Sequence, residues 1–396
     1  MDTTYLHIDC NTFFASCEVA TNPGLAGKPV VVANDNEVGG GIILALTKEA
    51  KALGLQRGQP LFQVRRIIEN NGVTLCKCDH NKYRRISAQI MNLVKEQEVV
   101  LDFVQYSVDE FFGQLPLSDP DEIRHYTKMV KDHITSNTGI PVSCGCSQSY
   151  TLAKTATHFA KQYPAYHGIC VLPPDKRKRA LQLTKINEVW GIGRQSVKQL
   201  MLQGVATAAD FAGMEGQRVR SLFSTALYNT YKELNGIPSI TLRHRDLQQS
   251  ISQSHTFGVM LGTEQELEAP IRGFVSHCAT RLRSQKGTCD IITLFLSTNR
   301  HRQDLPQYSN SAFTRLPAGT NDTPLLTKAA LRLLHEIFRP GYLYKQAGVI
   351  LGGIEEDDGH QLDLFTAQHD ERRRKLMEIT DTINKKYGTD SIGFIK

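Results

Sequence analysis

The chain has 396 residues, which is too long for one small domain and typical of about two to four domains. Apolar residues make up 40% and charged residues 22%, a composition that excludes a disordered chain and describes a globular protein with a real core. No apolar stretch approaches the roughly 20 residues that span a bilayer, so we predict a cytoplasmic protein with no membrane partner.

The net charge of +6 is distributed unevenly along the chain. Residues 241–350 contain 13 Lys and Arg against 8 Asp and Glu, whereas residues 355–396 contain 7 against 10. A basic region followed by an acidic tail indicates an anionic partner for the basic region, and nucleic acid is the leading candidate. Scattered charge on a solvated surface is the alternative interpretation.

The nine cysteines are odd in number and irregularly spaced, which argues against a secreted disulfide framework. Two pairs, Cys76-x-Cys78 and Cys144-x-Cys146, have one intervening residue instead of the two to four that are usual in zinc sites. Alternation in TLCKC and PVSCGC is typical of one face of a strand, where Cys behaves as a small apolar residue. We therefore favour a core role for these pairs over metal binding.

The first predicted element is the strand YLHIDC, in which Tyr5, His7 and Asp9 share one face and the intervening apolar residues share the other. A helix in NTFFASCEVA follows, with Asn11 or Thr12 as its cap. Asp9 is therefore predicted at the end of a strand, beside the N–H groups of a helix. Such strand-to-helix turns are frequent phosphate-binding places.

The next predicted elements mix strands and helices without strict alternation, which predicts an α+β domain with a mainly antiparallel sheet. They are a strand in 27–34, a helix in 43–55 that ends at Gly54, a helix in 80–98, a strand pair or one bent strand in 99–117, a helix in 121–139, a strand in 140–149 and a helix in 151–163.

The stretch YSVDEFFGQL places two adjacent carboxylates, Asp109 and Glu110, among apolar and aromatic residues. An unpaired carboxylate is costly to bury, so another group must compensate their charge. With Asp9 they make three carboxylates at predicted strand ends, a set that suits two divalent cations about 4 Å apart, and magnesium prefers such oxygen ligands. Adjacent residues of a flat strand face opposite sides, so the two acids converge only if the strand bends or ends there.

Residues 185–212 contain two predicted helical segments joined by a tight hairpin, Trp190-Gly191-Ile192-Gly193. Glycines let the backbone approach a ligand closely, and their N–H groups can donate to phosphate oxygens. The pattern resembles a helix-hairpin-helix, which binds the DNA backbone independently of sequence. A hairpin with only a packing role is the alternative.

The second half of the chain is again mixed in character. Strands are predicted in 254–260, 289–298 and 344–354, helices in 268–285 and 323–338, and a short amphipathic helix in 372–386.

Five motifs follow one another along the chain: HIDCNTFFASCE, YSVDEFF, SQSYTLAKTATHFAK, VWGIGRQSVKQL and QLDLF. In this order they resemble a Y-family translesion DNA polymerase of the UmuC type, over nearly the whole chain. The resemblance implies an α+β right-hand architecture with an antiparallel-sheet palm, small fingers, a helical thumb with a helix-hairpin-helix and an α/β little-finger domain. The implied boundaries are palm 1–11 and 76–163, fingers 12–75, thumb 164–236, little finger 243–353 and acidic tail 355–396.

The resemblance also implies an error-prone enzyme that adds dNTPs to a primer terminus opposite damaged template DNA, in DNA damage tolerance and SOS mutagenesis. Asp9 and Asp109 would bind both of two Mg²⁺ ions, for which Mn²⁺ could substitute. Glu110 would complete the site of the primer-side ion, and the Cys10 carbonyl would add a backbone ligand.

Phe14 matches the family's steric gate, a ring that collides with a 2′-hydroxyl group and so selects deoxynucleotides. Its neighbour Phe13 lies in the same nucleotide-binding motif, although core packing is the expected role of its side chain. Lys51 and Lys154 match the family's cations on the triphosphate, a role that suits charge-assisted hydrogen bonds. Many members have Tyr and Arg where this chain has Lys48 and Lys51, so the resemblance supports the triphosphate contacts of the fingers less strongly than it supports the carboxylates.

The pentapeptide Gln361, Leu362, Asp363, Leu364 and Phe365 resembles the bacterial sliding-clamp-binding motif. In that motif the apolar side chains enter pockets and the glutamine bonds at the rim. The resemblance implies as partners primer-template DNA, dNTPs, the sliding clamp, a UmuD-like accessory subunit and RecA.

Two other functions would use the same features. A metal-dependent nuclease also combines carboxylates with a DNA-binding hairpin, but no His-Asp or Glu cluster near the three acids is evident to orient water. A non-catalytic DNA-binding scaffold is expected to lack one of the three acids, and all are present.

Overall fold

The chain divides into two compact units, Met1–His244 and Arg245–Lys396. The computed structural model describes residues 3–34, 41–242, 247–357, 367–388 and 391–393. In the last helix it describes side chains from Arg372 onward. None of the helices in these ranges is long and apolar enough to cross a bilayer.

Strands and helices are mixed in both units. The described strands of the first unit are β1 (Thr4–Cys10), β2 (Val30–Ala33), β3 (Ile43–Leu46), β4 (Thr74–Lys77), β5 (Leu101–Gln105), β6 (Glu110–Leu115), β7 (Val142–Ser147) and β8 (Ile169–Val171). Its described helices are α1 (Phe13–Thr21), α2 (Lys48–Ala52), α3 (Leu61–Asn70), α4 (His80–Lys95), α5 (Pro120–Thr138), α6 (Tyr150–Gln162), α7 (Pro174–Leu183), α8 (Arg194–Leu202), α9 (Ala208–Ala212), α10 (Gly216–Leu222) and α11 (Thr225–Leu234). The second unit contains β9 (Ile251–Leu261), α12 (Glu264–Ser284), β10 (Gly287–Thr298), β11 (Ser309–Thr320), α13 (Thr323–Ile337), β12 (Tyr344–Glu356) and α14 (Ala367–Tyr387).

The larger sheet of the first unit has the strand order β5-β6-β1-β7-β8, and β1 is antiparallel to both of its neighbours. Leu6 and Ile8 of β1 are fully buried in a core that also contains residues of α4 and α5. His7 contacts α6 instead, because successive strand residues point to opposite faces of the sheet. This mainly antiparallel α+β sheet confirms the predicted palm architecture.

A smaller sheet, β3-β2-β4, lies within the segment predicted as the fingers. The prediction of one helix over residues 43–55 is wrong, because the first four residues form β3 and pair with the apolar strand β2. Thr47 separates the strand from the helix: its side chain accepts a hydrogen bond from the Ala50 N–H group and caps α2. The helical turn then stops before Gly54, whose positive φ of 87° suits the predicted helix end.

Two predicted domain boundaries fall inside sheets. β4 pairs with β2, so the smaller sheet continues two residues past the predicted end of the fingers at 75. β8 pairs with β7 in the palm sheet, although residues 169–171 lie in the predicted thumb. The other boundaries remain predictions.

The first helical segment of the predicted helix-hairpin-helix is much shorter than expected. Only a 3-10 turn, Ile186–Glu188, precedes the glycine hairpin, whereas α8 follows it as predicted. Lys185 forms a β-bridge with Thr207, and the Ile186 N–H group donates to the Ala206 carbonyl at 3.0 Å. The chain is therefore extended where a helix was expected to continue.

The second unit has one sheet with the strand order β11-β10-β12-β9, and residues of α12 and α13 share its core. The strand β11 escaped the sequence analysis, because SNSAFTRLPAGT is polar and contains Pro317. A proline is tolerated at this place because β11 forms the edge of the sheet.

The predicted amphipathic helix near the end of the chain is confirmed as part of α14, and it packs on the second unit. Met377 is only 2% exposed. Arg373 donates to both carboxylate oxygens of Asp322 at 2.9 Å, and Arg283 makes a two-pronged bond to Asp381 at 2.7 and 2.8 Å. Bidentate pairs of this kind are geometrically specific, so they fix how α14 docks.

Candidate active site

Three carboxylates lie together at one end of the palm strands. Asp9 is the register partner of Glu110, the first residue of β6, and Asp109 lies in the turn that leads into this strand. The Cys10 N–H group donates to the Asp109 carbonyl at 2.9 Å and holds this turn against β1. The geometric condition for convergence is thus met, because the strand begins at these acids. We call Asp9, Asp109 and Glu110 the carboxylate edge.

Lysines of α6 compensate two of these acids. Lys154 Nζ donates to Glu110 Oε1 at 2.6 Å, and Lys161 is ion-paired with Asp9. Lys154 and Lys161 are seven residues apart, which places them on the same face of a helix. That spacing in KTATHFAK was a usable signal for Lys161, which the sequence analysis missed.

Asp9 is the electrostatically most perturbed acid of the edge. Its burial raises the pKa of its carboxyl to about 6, Lys161 opposes this shift, and the charges of Glu110 and Asp109 add to it. The neighbouring Asp109 accepts a hydrogen bond of 2.5 Å from the Ser107 hydroxyl. Mutual repulsion among the acids means that a cation placed among them would be strongly attracted.

The ring of Phe14 rests on an anchored aromatic platform. It stacks on Tyr83 with 4.4 Å between centroids and an interplanar angle of 16°, and His80 contacts its edge at 5.8 Å. The Tyr83 hydroxyl donates to Glu18 Oε1 at 2.6 Å, and Lys82 donates to the other oxygen of the same carboxylate at 2.6 Å. Because Glu18 is only 8% exposed, this network fixes the platform in place.

Phe13 occupies the palm core, with 3% of its surface exposed. Its side chain therefore packs as expected and is not available to a ligand. A nucleotide contact by the backbone of Phe13 stays a prediction.

The lysines predicted to bind triphosphate lie in different surroundings. Lys48 and Lys51 are exposed on α2, and neither has an ion pair with another residue that the structure describes. Lys154, by contrast, lies over the rings of Tyr106 and Trp190, at 5.3 and 5.6 Å from their centroids. Their roles toward a nucleotide remain predictions.

The glycine hairpin of the thumb has one constrained and one open glycine. Gly191 has a φ of +85°, and a Cβ there would lie 2.7 Å from the Thr230 hydroxyl. Gly193 precedes α8, and a Cβ on it would meet no atom within 4 Å, so its backbone is approachable. Ile192 between them is 7% exposed and packs in the thumb core. DNA-backbone binding by this hairpin stays a prediction.

Trp190 connects this hairpin to the palm. Its Nε1–H group donates to the Tyr106 hydroxyl at 3.2 Å, and its ring lies 5.4 Å from that of Phe112.

Other predicted positions lie elsewhere. Gln361 to Phe365 fall outside the described residues. Cys144 and Cys146 are fully buried in the palm core, as the strand interpretation predicts, whereas Cys76 and Cys78 are partly buried. In the described parts of the chain, no group of three or more His, Cys, Asp or Glu is arranged as a ready-made metal cluster.

Two family models match the chain and cover most of its length. The impB/mucB/samB family matches residues 8–158, which include the whole carboxylate edge, and the C-terminal domain of the same family matches residues 248–364. The chain belongs to the impB/mucB/samB family. Protein UmuC of Salmonella typhimurium is 31% identical over 391 residues, covering 98% of this chain and 92% of that protein.

Other relatives of this family member extend the comparison. Protein MucB of Escherichia coli is 30% identical over 383 residues, which cover 96% of this chain and 90% of the MucB chain. DNA polymerase IV of Streptococcus pneumoniae serotype 4 is 25% identical over 361 residues, covering 88% of this chain and 95% of its own.

Solved structures of Y-family polymerases share the fold of this family member. A Y-family DNA polymerase chimera of Dbh and Dpo4 has a TM-score of 0.73 at 21% identity, covering 89% of this chain and all of its own. An insertion ternary complex of Dbh DNA polymerase has a TM-score of 0.57 at 20% identity with the same coverage. The fold is that of a Y-family DNA polymerase.

Proposed function

We propose that Asp9, Asp109 and Glu110 are the carboxylates with which this chain, a translesion DNA polymerase, extends a primer opposite damaged template DNA. The observation that carries the assignment is the placement of three acids where β1 ends and β6 begins, close enough that the charges of Glu110 and Asp109 raise the pKa of Asp9. The substrates are primer-template DNA and a dNTP.

The reaction is a nucleotidyl transfer. The primer 3′-oxygen forms a bond to the α-phosphorus of the dNTP, the bond from this phosphorus to the bridging oxygen breaks, and pyrophosphate leaves. The 3′-hydroxyl proton is released to solvent. Negative charge builds on the phosphate oxygens, so cationic groups near the carboxylate edge stabilise the transition state.

Polymerases of this family depend on a metal, and the carboxylate edge fits a hard divalent cation. Its side chains offer only oxygen atoms, and the pKa of Asp9 is raised first by burial and then by the charges of Glu110 and Asp109, although Lys161 lowers it. We assign two Mg²⁺ ions, replaceable by Mn²⁺, to Asp9, Asp109 and Glu110, with the Cys10 carbonyl as a backbone ligand. The chemistry supplied there is activation of the attacking oxygen and neutralisation of phosphate charge.

The chain's own cations would serve the triphosphate. Lys154 and Lys161 hold the acids in the described structure, and either ammonium group can turn toward a phosphate once the acids have another counter-charge. Lys51 would add a charge from the fingers.

Phe14 is the proposed steric gate. Its stacking on Tyr83 supports a fixed ring position, and a rigid ring discriminates by shape more sharply than a mobile one. Phe13 would contribute backbone contacts alone.

Partner binding is proposed from motifs. Gln361 to Phe365 would bind the sliding clamp, and the glycines of the thumb hairpin would hold the DNA backbone. A UmuD-like accessory subunit and RecA are further proposed partners in SOS mutagenesis.

Extension of a primer across an abasic template site in Mg²⁺ tests the activity. We expect extension by the unmodified protein, none by Asp109→Ala, and full activity for Asp175→Ala, which removes an exposed aspartate of α7. Primer degradation would establish a nuclease instead. If neither protein reacts, even with the accessory subunit added, the scaffold interpretation gains support.

A further inference from the structure

His7 carries a buried nitrogen that the proposed mechanism leaves unused. The residue is 1% exposed, and within the described chain its Nε2 atom has no hydrogen-bond partner. Buried polar atoms are nearly always bonded, so this atom calls for a physical explanation. Glu110 is a charged neighbour of this nitrogen, with its Oε1 atom 3.7 Å away.

The other ring nitrogen of His7 is held by α6. Nδ1 lies 2.9 Å from the Thr157 hydroxyl oxygen. The contact depends on Gly145, the register partner of His7 on β7, because a Cβ at Gly145 would lie 2.2 Å from the backbone of α6. The glycine thus lets α6 approach the sheet, and the imidazole ring is fixed in orientation.

The ring of His7 also borders a polar cavity of about 140 Å³, which includes Asp9, Lys154 and Lys161 in its lining. A cavity of this size and polarity has room for water. Glu110 Oε1 lies 3.7 Å from His7 Nε2, so a small shift of either side chain brings the two atoms within hydrogen-bond distance.

The tautomer follows from the neighbours of the two nitrogens. A neutral imidazole has one N–H group. If Nδ1 carried the hydrogen, the lone pair of Nε2 would face the carboxylate of Glu110, and two acceptors would oppose each other. If Nε2 carries it, the N–H group faces Glu110, and Nδ1 accepts from the Thr157 hydroxyl at 2.9 Å, a shorter contact than the same hydroxyl makes with the carbonyl oxygens of Ala153 at 3.1 Å and His7 at 3.3 Å.

We infer that His7 is a positioning residue that holds Glu110 through an Nε2–H donor. The inference rests on the proposed role of Glu110 in nucleotidyl transfer. It explains how Glu110 stays oriented although its partner Lys154 is also assigned to the triphosphate. Lys154 is bonded to Glu110 Oε1 at 2.6 Å and is also assigned to the triphosphate. When Lys154 turns to the nucleotide, His7 takes over the same oxygen and keeps Glu110 oriented.

Two substitutions separate a donor from a space-filling role. The amide nitrogen of His7→Gln reaches the position of Nε2, whereas that of His7→Asn reaches only the position of Nδ1. We expect His7→Gln to keep most of the kcat for primer extension, and His7→Asn to lose about tenfold or more with a smaller change in KM for dNTP. Equal kcat values for the two folded variants would overturn the inference.

A second readout does not depend on activity. In protein labelled with ¹⁵N-histidine, the signals of His7 are assigned by their loss in His7→Gln. We expect the Nε2–H tautomer in the unmodified protein, and a shift of the Nε2 signal in Glu110→Gln. An Nδ1–H tautomer would overturn the inference.

The two readouts also separate this inference from the proposed function. If the unmodified protein does not extend primers but shows the Nε2–H tautomer coupled to Glu110, the polymerase assignment of these residues fails while the contact stands. If it extends primers but shows the other tautomer, the positioning role fails alone.

Discussion

The carboxylate edge and the exposed surface of α2 both carry charges that nucleotide addition would use, but they hold them differently. In the carboxylate edge, Asp9 and Glu110 are register partners on paired strands, and each has a lysine partner from α6. On α2, Lys48 and Lys51 are exposed and without ion pairs to other described residues. The difference teaches that the palm fixes its charged side chains through contacts within the fold, whereas ion pairs with other described residues do not fix the lysines of α2.

The largest expected effect comes from neutralising one acid of the carboxylate edge. Asp9→Asn should lower kcat for primer extension by about a thousandfold or more, equivalent to about 4 kcal/mol, because a negative carboxylate that would hold the metal ions is lost. The exposed control Asp175→Asn should retain activity. Extension by Asp9→Asn at near the normal rate would remove this residue from the site.

The same variant should be more stable at neutral pH. Burial raises the pKa of Asp9 from 3.8 to about 6, so the folded protein binds this proton more tightly than the unfolded chain does. The resulting contribution to the free energy of unfolding is complete below about pH 4 and is lost as the pH rises through 6. Asn at position 9 does not titrate, so its advantage in free energy of unfolding should grow by about 2 kcal/mol between pH 4 and 7. Denaturant unfolding at both pH values measures this, and a constant difference would contradict it.

Phe14→Val comes next and acts on selectivity. Removing the ring that rests on Tyr83 should reduce discrimination against ribonucleotides by about a hundredfold, because the steric obstacle to a 2′-hydroxyl disappears. The ratio of kcat/KM for dNTP and rNTP measures it. Phe13→Leu is the matched control, since it changes a neighbouring ring that lies in the core, and an equal loss of discrimination there would contradict the assignment.

Glu18→Ala tests the anchor of the platform. It leaves the Tyr83 hydroxyl and Lys82 without their carboxylate, so the free energy of unfolding should fall by about 2 kcal/mol, with a partial loss of ribonucleotide discrimination. The matched control is Glu69→Ala, which breaks an exposed pair with Arg65 and should cost less than about 0.5 kcal/mol. Equal costs for both variants would show that the network does not anchor the ring.

The smallest effect is expected on α2. Lys51→Ala should raise the KM for dNTP by about threefold with little change in kcat, because an exposed lysine contributes a screened, flexible charge. Lys95→Ala, at the end of α4, should change neither constant. A thousandfold effect at position 51 would show that the fingers are as preorganised as the palm.

Much of the palm could be predicted from the sequence, because its patterns are local. The alternation in YLHIDC and the acids of SVDE indicated strand ends before any pairing was known, and β1 and β6 confirm them. The anchoring of Phe14 could not be predicted, because Glu18 and Lys82 are 64 residues apart in sequence. Contacts of that range depend on how α1 and α4 pack.

Other features could not be predicted correctly from the sequence, because the local pattern is ambiguous or depends on packing. The four apolar residues ILAL suit a strand as well as the start of a helix, and only pairing with β2 decides between them. The strand β11 lacks an apolar alternation because much of it is exposed at a sheet edge. Lys161 was not singled out from the sequence, because its pairing with Asp9 depends on the packing of α6.

The packing of Trp190 on Tyr106 and Phe112 has an optical consequence. Trp190 is the only tryptophan in the sequence, so all indole fluorescence of the protein arises at one place. That indole lies 5.6 Å from the Lys154 ammonium group and next to the glycines of the hairpin. Emission from the unlabelled protein therefore reports directly on movements of this lysine and this hairpin, without any introduced dye.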